Sequence, residues 1–179
     1  MAKASEFSLT RWEQEMATNG KRLEVLARLN ADAASQSPEG AWSVAQCIDH
    51  LDKTAKAFLP LWEQQLSFGG GGQGHGYAFW WRWFLGGIEN PAKLRTKTPA
   101  TFEAAPSPSW PAVIQNYRTL REIVIRLALE MNEKQIGSAK VQSPFADWMR
   151  YPMDFSFDLM VAHERRHLLQ AESLVPART

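Results

Sequence analysis

Two of the four histidines in the sequence, His163 and His167, lie four residues apart near its C-terminal end. The apolar pattern around them predicts a helix, on which such residues are one turn apart and about 40° apart around the axis. Leu159, Met160 and Leu174 fall in the same sector, so we expect the pair to face the protein interior. Two neutral imidazoles in this arrangement can both bind one zinc, nickel or iron(II) ion. The alternative is a buried pair, each ring hydrogen-bonded to a carbonyl group or to water.

The five residues from 163 to 167 (HERRH) also match the HExxH pattern of zinc metalloproteases. In those enzymes both histidines bind zinc and the glutamate, here Glu164, is the general base. Only 12 residues follow His167, and Ser173 stands where the elongated form of the motif has a third histidine. A protease is therefore the weaker interpretation of this segment.

A third metal ligand is better sought upstream, where His50 lies in a second segment with helical spacing. His50 comes one turn after Cys47, at the edge of the apolar stripe, and an edge position can face the centre of a bundle. A lone histidine at such a position is more often on the surface or hydrogen-bonded. Three histidines would leave at least one coordination position open, which is typical of catalytic rather than structural metal sites.

Helices are predicted to position all of these residues. Ser43 and Gln46 have the spacing of a capping box and mark the start of the helix that carries His50. Thr10 and Glu13 have the same spacing near the start of the first helix, and Pro60 predicts a kink or an early end of the second. The four predicted helices are residues 9–34 (interrupted at Gly20), a helix starting at 43, residues 109–132, and a helix from 154 or 156 to about 174.

A long connection separates the second and third helices. It contains a Gly- and Trp-rich stretch at 69–87 and a Pro- and Thr-rich stretch at 90–108. The aromatic residues 77–85 predict a short helical insertion that packs on the core or forms a lid, with a membrane or partner surface as the alternative. Strand-like alternation is lacking, and residues 137–152 are expected to be a loop. The fold class is therefore all-α: a single domain over 1–179, a four-helix bundle with a long crossover between helices 2 and 3 and a short Trp-rich insertion.

Two segments resemble the DinB-like superfamily. Residues 42–51 (WSVAQCIDHL) are similar to its second-helix pattern W-S-x-x-(E/Q)-x-x-x-H-L, and residues 163–170 (HERRHLLQ) to its fourth-helix pattern H-x-x-x-H-x-x-Q. The resemblance implies a DinB-type four-helix bundle with one divalent metal ion (zinc, nickel, iron or manganese) held by His50, His163 and His167.

Some members of this superfamily are transferases or isomerases that use low-molecular-weight thiols such as bacillithiol, mycothiol or glutathione. In that chemistry the metal ion lowers the pKa of the thiol and presents a thiolate to an electrophile. The resemblance therefore implies a metal-dependent S-transferase or isomerase of the detoxification type, acting on a small molecule. The alternative is a non-catalytic metal-binding or protein-interaction bundle.

Other residues near the histidines are candidates for supporting roles. Gln170 lies one turn beyond His167 and could hold a ligand, a water molecule or a thiol, or be a polar plug at the bundle end. Cys47 is expected to be a packed core thiol, His75 a solvated loop residue rather than a fourth ligand, and Trp42 a cap on the core. The acids that could orient a metal-bound imidazole, among which helical angles do not select, are Asp49, Asp52 and Glu164.

The composition narrows the functional classes. With 20 Lys and Arg against 19 Asp and Glu, the net charge of +1 gives no electrostatic reason to expect nucleic acid or an anionic membrane as partner. The single cysteine cannot form an internal disulfide or a multi-cysteine metal site. No apolar signal segment is visible in residues 1–14, and the run at 77–85 is too short to span a bilayer. We therefore expect a cytoplasmic protein that binds neither nucleic acid nor membranes and that could form a homodimer.

Overall fold

The computed structural model describes residues 8–74, 79–89 and 98–175, and these are mostly helical. In chain order the elements are α1 (Leu9–Leu26), α2 (Ala31–Ser35), α3 (Val44–Phe68), α4 (Phe79–Glu89), a 3₁₀ turn (Ala100–Phe102), α5 (Trp110–Glu133), β1 (Lys140–Gln142), β2 (Arg150–Pro152) and α6 (Met153–Ser173).

Four long helices, α1, α3, α5 and α6, form the bundle. Helix α3 packs most extensively on α5 and also on α6, while α1 packs on α6. Trp62, late in α3, stacks on Phe157, early in α6, with ring centroids 4.4 Å apart. His50, early in α3, lies beside His163, late in α6. Helices α3 and α6 are therefore antiparallel, and the predicted all-α four-helix bundle is confirmed.

The first helical segment differs from the prediction because it is two helices. Helix α1 ends at Leu26 and α2 begins at Ala31. The side-chain oxygen of Asn30 accepts a hydrogen bond from Ala33 N at 2.8 Å, which caps the start of α2. Gly20 does not interrupt α1, whose cap is Ser8 rather than the predicted pair at 10 and 13. The break between α1 and α2 therefore lies next to Asn30, whose side chain bonds to the backbone and so competes with continuation of the helix. It does not lie at Gly20, where the lower helix propensity of glycine predicts it.

Helix α3 starts as the sequence predicts and ends later. Gln46 N donates to Ser43 Oγ at 3.1 Å, and Ser43 N donates to Gln46 Oε1 at 2.9 Å, which completes the capping box. The predicted early end at Pro60 is wrong, because the helix continues to Phe68. Phe58 and Trp62, on either side of the proline, are both buried in the core. This packing offsets the loss of one backbone hydrogen bond at proline.

The segment before α6 contains a small hairpin instead of the expected loop. Strands β1 and β2 are antiparallel, with Val141 opposite Tyr151. Both of these side chains are buried, while the residues that precede them in each strand are exposed. Three residues per strand are too few to give an alternation that can be recognised in the sequence.

Among the residues whose burial the structure describes, three tryptophans lie buried in the bundle core, which accounts for part of the count of eight in the sequence. A buried indole needs an acceptor for its N–H. Each of the three finds one on a neighbouring helix or turn: Trp12 donates to Phe157 O at 3.0 Å, Trp62 to Ser156 Oγ at 2.8 Å and Trp110 to Leu29 O at 2.9 Å.

The Trp-rich insertion forms α4, which packs along α6. Trp81 contacts Phe155 and Tyr151, with ring centroids 4.7 and 5.7 Å apart, so one face of α4 packs on the core as expected. Trp83 is 72% exposed and points away from the core. Among the described residues, no helix has both the length and the apolar character needed to cross a membrane.

Candidate metal centre

Three histidines meet between the start of α3 and the end of α6. His50, His163 and His167 each offer a ring nitrogen, and these nitrogens all lie within 4.8 Å of one another. The centroids of the three rings are 4.6 to 5.1 Å apart. The antiparallel packing of α3 and α6 brings together the residues that the sequence proposed as a set, although 113 residues separate His50 from His163.

Hydrogen bonds fix the tautomer of two of the rings. His50 Nδ1 donates to the carbonyl oxygen of Phe102 at 2.7 Å, and His167 Nδ1 donates to Gln170 Oε1 at 2.9 Å. A neutral imidazole that is protonated on Nδ1 has its lone pair on Nε2. Both Nε2 atoms are therefore available to bind a metal ion, in the arrangement usual for metal-binding histidines.

The third ring, His163, directs Nε2 towards the same point. Its Nε2 atom is 3.2 Å from His50 Nε2. Two nitrogens bound to one zinc ion at 2.0–2.1 Å are about 3.0–3.4 Å apart, so this separation fits shared coordination. His163 Nδ1 is buried and has no hydrogen-bond partner in the described part of the chain.

Burial keeps all three imidazoles neutral. It lowers the pKa of His167 to about 3 and that of His163 well below its usual value. Burial also lowers the pKa of His50, and the hydrogen bond to Phe102 opposes this effect. Neutral rings have a lone pair to donate, so the donor set fits a divalent ion such as zinc, nickel or iron(II) without prior loss of a proton.

Trp42 forms an aromatic wall of the histidine cluster. Its ring centroid is 5.0 Å from that of His50 and 6.0 Å from that of His167. The side chain is half-buried, so one part of it borders solvent. Trp42, which the sequence predicts to cap the core at the start of α3, therefore also contacts two of the three histidines.

The three acids proposed to orient an imidazole are Asp49, Asp52 and Glu164. Among the described residues, none of them forms a hydrogen bond with a histidine of the cluster. Asp49 accepts hydrogen bonds from Ala105 N at 2.7 Å and Lys53 Nζ at 3.0 Å, and Asp52 accepts one from Lys56 Nζ at 2.6 Å. The orienting groups are neutral instead. Gln170 was a candidate in the sequence. The carbonyl group of Phe102 could not be predicted from the sequence, because every residue has a backbone carbonyl group, whatever its side chain.

Glu164 lies in the bundle core, with its carboxylate turned towards α1 and α5. It accepts hydrogen bonds from Asn19 Nδ2 at 2.9 Å, Tyr117 Oη at 2.9 Å and Arg121 Nε at 2.5 Å. The side chain is only 2% exposed. A carboxylate held in this way cannot act as the general base beside the histidines, which argues against the protease interpretation of the HExxH pattern.

Two further candidates from the sequence remain, Cys47 and His75. Cys47 is a buried free thiol, and burial raises its pKa to about 12, as expected for a core residue. His75 lies outside the described residues, so its predicted role in solvent stays a prediction.

Comparison with known proteins identifies a family. The family model of the DinB superfamily matches residues 17–171, a region that includes all three histidines of the cluster. No curated protein and no solved structure matches the chain.

Proposed function

The chain belongs to the DinB superfamily, and we propose that it is an enzyme that depends on one divalent metal ion bound by His50, His163 and His167. The observation that supports this proposal most is the cluster of three neutral imidazole nitrogens within 4.8 Å. Three protein ligands leave room for a further ligand, which is the usual composition of a catalytic site.

The protein residues around the cluster hold the ligands in place and limit access by water. Phe102 and Gln170 fix two rings with Nε2 directed inwards, and Trp42 covers one side. Bound there, a divalent ion supplies Lewis acidity that lowers the pKa of a thiol. With Nε2 bound to the metal ion and Nδ1 already protonated, His50 and His167 would have no lone pair left to accept a proton, so we propose that the proton released by the thiol passes to bulk water.

We propose a low-molecular-weight thiol as co-substrate and a small electrophile as its partner, in an S-transferase or isomerase reaction. The chain's own cysteine does not provide the sulfur nucleophile, because Cys47 is buried and its pKa is raised to about 12. A thiol from solution is therefore needed to form the new sulfur–carbon bond.

A metal-binding or interaction bundle without catalysis is the second candidate. The observation that favours it is the exposure of two large rings, Trp83 at 72% and Trp148 at 84%, which is unusual for tryptophan unless a partner covers it. In this case the metal ion would stabilise the folded bundle, and no thiol would react.

Thiol transfer to a chromogenic aryl halide distinguishes the two candidates. We expect metal-loaded protein to accelerate conjugation of one thiol in a small panel at least about tenfold over chelator-treated protein, as a positioned thiolate would. The acceleration should disappear in a His163→Ala variant and persist in Cys47→Ser. Metal-loaded protein that accelerates none of these reactions would favour the non-catalytic bundle.

Gln170 offers a test of the orienting contacts. Replacing Gln170 with leucine removes the acceptor for His167 Nδ1, so we expect zinc affinity to fall by about 10- to 100-fold. Gln170→Glu keeps an acceptor oxygen and should retain most of the affinity. Competition with a chelating dye measures both variants. Equal affinities for wild type and Gln170→Leu would show that the contact does not support the ligand.

A further inference from the structure

Helix α5 packs on the core with one face, and its opposite face lines an open groove between residues 122 and 134. Two apolar side chains lie in this groove, Ile125, which is partly buried, and Leu129, which is 40% exposed. Residues four apart are neighbours on a helix surface, so the two side chains form a short apolar strip along α5.

A row of charges with alternating sign runs beside this strip. The row consists of Glu122, Arg126, Glu130 and Lys134, each four residues from the next, and all four line the groove. Glu130 and Lys134 are 2.8 Å apart and stay 34% and 44% exposed. Within one chain such a row is typical of a solvated helix face. Read in the opposite direction, however, the row has the opposite sign at every position, so it is complementary to an antiparallel copy of itself.

We infer that this face of α5 is the interface of a homodimer, in which the α5 helices of two copies pack antiparallel about a twofold axis at the level of Ala128. In this register Glu122 faces the partner's Lys134, and Arg126 faces the partner's Glu130. A twofold axis repeats each contact, so every charge of the row meets an opposite charge on the second copy. The inference goes beyond the proposed function, since it does not depend on the metal site.

Apolar contacts at the groove and at the end of α3 complete the interface. Ile125 and the partner's Leu129 are offset by two residues in this register, which is only about 3 Å along the helix axis, so they contact each other. Lys134 Nζ donates to Leu66 O at 3.1 Å, which places the end of α3 beside this end of α5. Phe68 follows two residues later and is 74% exposed. The partner's α5 continues past this point, so it adds area to a groove that by itself is only about 18 Å long.

Sedimentation equilibrium of the full chain between about 1 and 100 μM tests the inference, and we expect a reversible monomer–dimer equilibrium. Arg126→Glu and Glu130→Arg should each weaken the dimer at least about tenfold, because each change places like charges opposite one another twice. A mixture of the two variants should regain the wild-type affinity, since each then meets an opposite charge on its partner. A charge effect confined to one helix would not be reversed by mixing.

Leu129→Asp should also weaken the dimer at least about tenfold, because it places a charge in the apolar strip. The matched control is Leu169→Asp, a change of the same type on α6 at a leucine that is 45% exposed, and it should leave the affinity unchanged. Circular dichroism checks that each variant is folded. A wild-type chain that stays monomeric, a dimer that Arg126→Glu leaves intact, or a mixture that does not regain affinity would overturn the inference.

Discussion

Replacing any one of His50, His163 and His167 with alanine is expected to reduce bound divalent metal from about one equivalent per chain to almost none. Each ring supplies one of the three nitrogens that lie within 4.8 Å of one another, and two nitrogens hold an exchangeable ion much less tightly than three. Elemental analysis of tag-free protein, dialysed after loading with zinc, nickel, iron or manganese in turn, measures the stoichiometry and identifies the preferred ion.

Two further variants separate this result from a general loss of structure. Cys47→Ala changes a buried residue one turn from His50 and should keep its metal. His75→Ala tests the remaining histidine, which we do not expect to be a ligand. Metal retained by the His50→Ala variant alone would remove His50 from the set and require a third ligand elsewhere. Full occupancy in all three variants would contradict the proposed site.

The part of the fold that the sequence predicts well depends on local interactions. The start of α3 follows from a capping box formed by residues three apart, Ser43 and Gln46. The shared face of His163 and His167 follows from helical geometry alone. His50 is a candidate for the same site from its position at the edge of an apolar stripe, and the resemblance to a family also implies it. The antiparallel packing of α3 and α6 brings it there.

The features that the sequence does not predict depend on contacts between distant residues. Pro60 stays inside α3 because side chains on both sides of it pack on the core. The acceptor for His50 is a backbone carbonyl, that of Phe102, 52 residues away. Helical angles could not decide where Glu164 points, because its direction depends on the partners that α1 and α5 present. Propensity and periodicity carry no information on such partners.

Breaking the ion pair between Glu164 and Arg121 is expected to cost about 3–5 kcal/mol of the free energy of unfolding. The two side chains are only 2% and 14% exposed, so either one left alone would be a buried, uncompensated charge. Gly20 is part of this arrangement. A Cβ atom there would lie 3.1 Å from Arg121 Nη1, so glycine in the middle of α1 makes room for the guanidinium.

The expected loss applies to Arg121→Met and to Glu164→Gln, measured by urea denaturation with a chelator present, so that metal binding at the neighbouring His163 does not contribute. The matched control is an exposed pair one turn earlier on α5, between Arg118 and Glu24, whose side chains are 37% and 55% exposed. Arg118→Ala should cost less than about 1 kcal/mol, because solvent screens an exposed pair.

Combining Arg121→Met with Glu164→Gln should restore most of the stability that either change removes. Glutamine can accept from Asn19 with its oxygen and donate to Tyr117 Oη with its amide nitrogen, and no charge then remains buried without a partner. The two changes are thus expected to be strongly non-additive, with a coupling energy above about 2 kcal/mol. Additive losses would mean that each side chain acts through its own packing. In that case the orientation of α6, and with it the inward direction of His163, would depend on the apolar core rather than on this buried pair.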